Sequence, residues 1–299
     1  MSFQFSSAKC EVSVADVMKW FDRNQSKDFH LTFLDPPFNQ GKEYKFFDDD
    51  LPHEEYWRWM EEVLHETLKR TADGGAVYFM QREKNTEFVL RALRKTGWSF
   101  QNLIIWKKKT SAVPGTNRFG KQFQVIGYAI KGEKPRVFNR LRISPPLPAD
   151  YKYERESGIF ITDIWDDIRE LTSGYFAGDE AIRAENGERF HKQQSPIALL
   201  LRIIMSSSNV GDTVFDPFAG TGTTLVVATQ LKRNSFGLDV DPENVKMIRR
   251  RLKEERASDD ISKYFDYYKN TDGLAAILGR ETFQRVNSQK SNQPALFEN

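Results

Sequence analysis

Apolar residues along this chain change their period several times, and each change marks an element. A run from Asp28 to Leu34 predicts a buried strand, with a loop over Asp35–Tyr44 after it. From about His53 to Thr71 the period turns helical, with Tyr56, Trp59, Met60, Val63, Leu64 and Leu68 in register. Asp73-Gly74-Gly75 reads as the break after that helix, and Ala76–Met80 as a short apolar strand. Helical spacing returns over Lys84–Lys95, with Gly97 as its stop, and Ser99–Trp106 is a further strand. Strand, helix, strand, helix, strand is the rhythm of a mostly parallel sheet.

Between Lys107 and His191 the rhythm fails. Pro114-Gly115, Pro145-Pro146-Leu147-Pro148 and scattered aromatics suggest an inserted module with short strands of its own, Phe123–Ile130 being the clearest. Regularity resumes at Ser195-Pro196, where proline opens a helix that runs to about Ser207. A turn at Asn209–Asp212 leads into a strand Thr213–Asp216, a helix from about Thr223 to Leu231, a strand Ser235–Val240 and a helix from Pro242. The last thirty or so residues are polar and read as partly disordered.

Composition narrows the class. With 299 residues, 39% of them hydrophobic, the chain can build one large domain, or one domain with an insertion. Cys10 is the only cysteine and the four histidines are scattered, so neither a disulfide framework nor zinc spacing is present. No run has the length of a membrane span and no signal-peptide pattern opens the chain, so a cytoplasmic setting without membrane contact is expected. The formal net charge is only +2, but its distribution is uneven. Lys107, Lys108, Lys109, Arg118, Lys121, Lys131, Lys134, Arg136, Arg140 and Arg142 lie between Gln101 and Pro145, with Glu133 as the one acid among them. A basic segment in an otherwise acidic chain points to a polyanion, nucleic acid first.

Two stretches carry chemistry. Asp35-Pro36-Pro37-Phe38 follows a buried strand. Asp216-Pro217-Phe218-Ala219-Gly220-Thr221-Gly222-Thr223 follows a later one and precedes a helix. Gly220 and Gly222 permit a tight turn and close approach to a ligand. No lysine stands where a phosphate-binding P-loop needs it, and Leu225 occupies the place of the third glycine of a dinucleotide fingerprint. A nucleoside-like ligand without pyrophosphate fits better. Asp239, at the end of the next strand, can accept hydrogen bonds from both ribose hydroxyls. Taken singly, each stretch is also what a plain strand-ending turn looks like.

Together and in this order, the two stretches resemble the signature motifs of the β group of amino-methylating DNA methyltransferases, which act on adenine N6 or cytosine N4. Leu103–Lys107, Asp163–Asp166 and His191–Pro196 resemble further family segments, so the likeness extends over most of the chain. Lys192 and Ser195 depart from the family's proline and lysine, and Phe38 replaces the commoner tyrosine. The resemblance implies a Rossmann-like α/β methyltransferase with a mostly parallel seven-stranded sheet and permuted motif order. It places a catalytic half at 1–106, a target recognition region at 107–190, a cofactor half at 191–270 and a flexible tail at 271–299. S-adenosylmethionine is the implied cofactor, held by Asp216, Phe218, Ala219, Gly220, Gly222, Thr223, Asp239 and Ser195. Double-stranded DNA is the implied partner, met by Lys107, Lys108, Lys109, Arg118, Lys121, Arg136, Arg140 and Arg142. A cognate restriction endonuclease is a further partner that the resemblance admits.

The chemistry explains the turn. An exocyclic amine is a poor nucleophile because its lone pair is delocalised into the ring. Asp35 can accept one amine hydrogen and a carbonyl of the Asp35-Pro36-Pro37 turn the other, which frees the lone pair. The prolines leave their carbonyls without intrinsic partners, and Phe38 offers a flat face to a flipped base, worth about 1–3 kcal/mol. Aspartate at the first position favours adenine, with cytosine N4 as the alternative. Methylation at cytosine carbon 5 needs a cysteine nucleophile, and Cys10 lies in no suitable setting. Ser144-Pro145-Pro146-Leu147 imitates the cytosine-type motif but lacks the aromatic and reads as a polyproline-like linker. A binding module without catalysis, a hydride-transfer enzyme and an RNA substrate are the remaining rivals. Near the end, Gln293-Pro294-Ala295-Leu296-Phe297 loosely resembles the peptide by which bacterial proteins dock on the replication sliding clamp, which raises clamp contact as an expectation.

Overall fold

The computed structural model describes residues 2–5, 8–24, 28–42, 46–110, 114–144, 156–171, 178–184, 186–191, 193–279 and 282. Its strands are β1 (Ser2–Phe5), β2 (Ala8–Val14), β3 (Phe29–Leu34), β4 (Thr71–Arg82), β5 (Ser99–Lys107), β6 (Phe123–Ile130), β7 (Arg142–Ile143), β8 (Ile159–Phe160), β9 (Ile164–Trp165), β10 (Thr213–Asp216) and β11 (Asn234–Asp239). The helices are α1 (Val17–Arg23), α2 (His53–Lys69), α3 (Thr86–Lys95), α4 (Ile197–Ser207), α5 (Thr223–Gln230), α6 (Pro242–Glu254) and α7 (Leu274–Leu278). Nine strands form one sheet in the order β1-β2-β11-β10-β3-β4-β6-β5-β9, and β7 pairs with β8 apart from it. From β2 to β4 the neighbours are parallel, whereas β6 runs antiparallel to both β4 and β5. The seven strands from β2 to β5 are the expected sheet, and β1 and β9 extend its edges.

Helices cover both faces, which is why the central strands read as continuous apolar runs. On one face α1, α2 and α3 pack over an aromatic cluster in which Phe29 and Phe215 stack with centroids 4.1 Å apart. On the other lies α4, apolar almost all round and buried accordingly. Its one cation, Arg202, is buried too and grips both oxygens of Asp167. That pair fastens the segment carrying β9 to the core.

Three expectations change. Gly74 and Gly75 do not break the chain but lie inside β4, because their backbone groups pair with Lys131 and Arg136 just beyond the end of β6. Phe123–Ile130 is no part of a separate module. It is β6, inserted between β4 and β5 and buried along nearly its whole length. An eight-residue apolar run needs cover on both faces, and only the central sheet supplies it. Ile164–Trp165 joins the same sheet as β9, so the described parts of 107–190 are built onto the main core. Third, the chain beyond 271 begins in order: α7 buries Leu274, Ile277 and Leu278, and the Ile277 carbonyl accepts from the buried Arg233 guanidinium at 2.7 Å. The Pro145–Leu147 stretch and the Gln293–Phe297 peptide lie outside the described residues.

Candidate active site

β3 and β10 are neighbours, yet β3 continues to β4 on one side and β10 to β11 on the other. Loops leaving two such strands diverge and open a crevice at their carboxyl ends. Both candidate stretches leave at this point. Asp35, Pro37, Ser195, Asp216, Phe218, Ala219, Gly220, Thr223 and Asp239 line one cavity of about 680 Å³. Gly222 shapes the loop from behind. At φ +74° it lies against α6, where a Cβ would meet Ile248 at 2.9 Å. Gly220, at φ +51°, leaves open the space that a Cβ would enter beside His191. Its N–H donates to Asp239 Oδ2 at 2.8 Å, while Oδ1 accepts from Asp241 N at 2.9 Å and Asn244 Nδ2 at 3.0 Å. Burial raises the Asp239 pKa, and those three donors oppose the rise. Asp239 thus joins the end of β11 to the glycine loop and still faces the cavity. A bare glycine cradle, a buried carboxylate for hydroxyl groups and apolar walls from Val17, Phe33 and Phe218 fit S-adenosylmethionine.

Asp35 is half-buried, and the desolvation of its carboxyl pushes its pKa up to about 7. Ser195 Oγ donates to Oδ2 at 3.0 Å and works against that rise, while the neighbouring Asp216 adds to it. Ser195, expected to hold cofactor, therefore holds the catalytic candidate and joins the two halves of the site. The Pro37 carbonyl is already taken: Tyr56 Oη donates to it at 2.7 Å. That hydroxyl accepts from Gln81 Nε2 at 2.6 Å, whose Oε1 accepts from Asn85 Nδ2 at 2.9 Å. All three side chains are buried. Among the described residues nothing donates to the carbonyls of Asp35 and Pro36, so within the turn only the Pro37 carbonyl is engaged. The residue expected to offer a flat face to the base is Phe38. It is 2% exposed and forms part of the wall of a second cavity of about 430 Å³. Met80, Trp106 and Lys108 stand in the same wall, and Asp35 lines both cavities. The loop beyond is organised by Asp49, whose carboxylate accepts from Asn39 N at 2.8 Å, Lys42 N at 3.0 Å and Gln40 N at 3.3 Å.

The basic residues divide. Lys107, Lys109 and Arg118 are exposed near this end of the sheet. Lys121 pairs with Glu83 at 2.8 Å and lines the second cavity. Lys108 turns inward to that cavity, and burial lowers its pKa. Arg140 and Arg142 lie over the Phe160 ring at 4.2 and 3.8 Å. Arg136 is a correction. It pairs with Asp212 beside the start of β10, at the opposite end of the sheet from Asp35, where it satisfies a buried carboxylate. Tyr56, Gln81 and Asn85 escaped the sequence reading because Tyr56 lies on the apolar stripe of α2 and looks like core. Lys42 and Asp49 gave no motif signal at all.

Fold and site together define a Rossmann-like enzyme with a nucleoside crevice and a carboxylate at its mouth. A family model described as DNA methylase matches residues 29–250, and the chain belongs to that family. It is a β-group amino-methyltransferase. DNA adenine methyltransferase YhdJ of Escherichia coli K12 is 29% identical over 286 residues, covering 89% of this chain and 87% of its own. Type II methyltransferase M.HpaI of Haemophilus parainfluenzae is 27% identical over 242 residues, 81% of this chain and 73% of its own. Among solved structures, the M1.HpyAVI–SAM complex superposes with a TM-score of 0.55 at 20% identity, over 81% of this chain and 98% of that one. Among the described residues no helix is long and apolar enough to cross a membrane.

Proposed function

We propose that the chain transfers a methyl group from S-adenosylmethionine to the N6 amine of a flipped adenine in duplex DNA. The observation that carries this reading is the place of Asp35, in the wall of the glycine-loop cavity and of the second cavity at once. Bound in the first cavity, S-adenosylmethionine supplies the methyl group on a positively charged sulfur. Asp239 is positioned to receive its ribose hydroxyls, and the Gly220 cradle its backbone-facing edge. The second cavity receives the base, against Phe38 and Trp106. Asp35 accepts one hydrogen of the exocyclic amine and the Pro36 carbonyl the other, so the nitrogen lone pair turns out of the ring plane. Tyr56 keeps the Pro37 carbonyl engaged and so takes it out of the choice of acceptor. After transfer the amine proton can leave to Asp35, whose raised pKa suits it to hold a proton near neutrality. Most of the rate comes from alignment of amine and methyl group in this junction.

One relative, YhdJ, is named a DNA adenine methyltransferase, which supports the adenine reading. Cytosine N4 is the second reading, since both bases present an amine beside a ring nitrogen. Expression in cells, followed by sequencing of their DNA for modified bases, gives base and site together. N6-methyladenine at one short motif is expected; N4-methylcytosine at that motif moves the reading to the second base, and unmodified DNA overturns both. A region reading duplex DNA is proposed for the exposed cations after β5, and a restriction partner follows only if the motif found is one that an adjacent nuclease cuts.

A further inference from the structure

The described parts of the connection between β5 and β6, residues 108–110 and 114–122, leave the sheet at its catalytic end. The Lys108 N–H donates to the Gln122 carbonyl at 2.7 Å and closes the base of that connection, and Gly115 pairs with Arg118 across its turn. Phe119 follows that turn, and 97% of its surface is exposed, more than any other large apolar residue described. A whole phenyl ring in water is unfavourable, and no described part of the chain covers it. Two residues on, Lys121 is fastened to Glu83 at 2.8 Å and lines the second cavity with Asp35. Two residues reach at most about 7 Å, so the Phe119 backbone lies within that distance of Lys121, a residue in the wall of the cavity assigned to the base. Along the chain from Lys107 to Lys121 there are five Lys and Arg and no acid, and of these Lys107, Lys109 and Arg118 are exposed.

We propose that Phe119 is a wedge that enters the base stack of duplex DNA where the target nucleotide has left it. The inference rests on the methyl-transfer reading above and deepens it. Extruding a base opens a gap in the stack and costs a few kcal/mol. An apolar ring inserted there restores stacking and leaves water behind, as wedge side chains do at kinked steps. A single ring next to the exposed Arg118, on a segment that also carries the exposed Lys107 and Lys109, suits an anionic duplex, whose phosphates meet the cations while the bases meet the ring. A protein partner would call for a wider apolar patch with its own rim.

The test compares wild type with F119A and F119W on two duplexes that carry the methylated motif. In one the target base is paired; in the other it is mismatched and already loosely stacked. F119A is expected to lose about tenfold or more in single-turnover rate on the paired duplex, yet stay within about threefold of wild type on the mismatched one. F119W should keep most of the rate on both. With 2-aminopurine at the target position, the rise in emission on binding should be blunted in F119A alone. Binding of S-adenosylhomocysteine, unchanged in both variants, reports an intact fold. Equal rates for F119A and wild type on the paired duplex overturn the wedge, and so does an equal loss on both duplexes, which would make Phe119 a general docking contact. A wild type that methylates neither duplex overturns the parent reading and the wedge with it.

Discussion

Two turns in this molecule begin alike and end in different work. Asp35-Pro36-Pro37 leaves β3, and Asp216-Pro217-Phe218 leaves β10, the next strand in the sheet. Burial pushes both carboxyls up to about 7. The partners differ. Asp216 is satisfied by its own turn, accepting from Phe218 N at 3.1 Å and opposed in its rise by Thr224. Asp35 has a single donor, Ser195, from the other half of the chain, and faces two cavities. A carboxylate consumed by local bonds shapes a loop; one left short of donors keeps lone pairs for a substrate. Number of donors, rather than pKa, is what distinguishes the two acids and singles out Asp35 for the proposed chemistry.

Mutating each acid breaks the comparison most sharply. D35A should lower the transfer rate by about a thousandfold or more, on the scale of removing a group aimed at developing charge, with cofactor affinity nearly unchanged. D216A should reverse the pattern, losing cofactor affinity and thermal stability together, because the Phe218 N–H is left without its acceptor. Calorimetric titration with S-adenosylhomocysteine alongside single-turnover rates separates the two; parallel loss of affinity in D35A would erase the distinction.

Removing the Tyr56 hydroxyl should cost less. Y56F frees the Pro37 carbonyl and lets the turn choose between two acceptors, so the maximal rate should fall by about tenfold with little change in KM. A rise in KM alone would make Tyr56 a part of the core and no more.

The pH dependence tests Ser195. Asp35 has a folded pKa of about 7, above its ordinary value of 3.8. It therefore favours folding at pH below about 4, and that contribution is lost as pH rises through about 7. Activity runs the other way, since the acceptor form grows as the proton leaves, which predicts an acidic limb near pH 7. The Ser195 bond lowers the Asp35 pKa, so S195A should move that limb to higher pH, with a few-fold loss at pH 7 and almost none at pH 9. A limb that stays in place would detach Ser195 from Asp35.

The smallest effect concerns the periphery. Replacing exposed Lys107 and Lys109 by Gln should flatten the slope of log affinity for DNA against log salt by about 0.9 for each phosphate no longer neutralised. The same change at Arg136, paired with Asp212, should leave the slope alone and lower the melting temperature. An effect on the slope from Arg136 would return it to the DNA face.

Both turns were legible in the sequence because each couples a strand end to residues with fixed backbone behaviour. Proline and glycine write local geometry into local sequence, and the strands around them are continuous apolar runs. The placement of β6 was not legible. Its residues announce a buried strand but not which neighbours it joins, since pairing across dozens of residues depends on what the rest of the chain leaves open. For the same reason the Tyr56–Gln81–Asn85 chain could not be read: its members come from α2, β4 and the turn before α3, and meet only in three dimensions. Arg136 misled because charge counting cannot see a distant carboxylate.

One reversed strand has a consequence for how this enzyme could change its target over time. The chain climbs β5 toward the reacting end, arches across, and descends β6. Any lengthening of that arch is delivered onto the substrate side without shifting a single rung of the ladder below. New specificities can thus be tried as insertions at one address, with the chemistry left undisturbed.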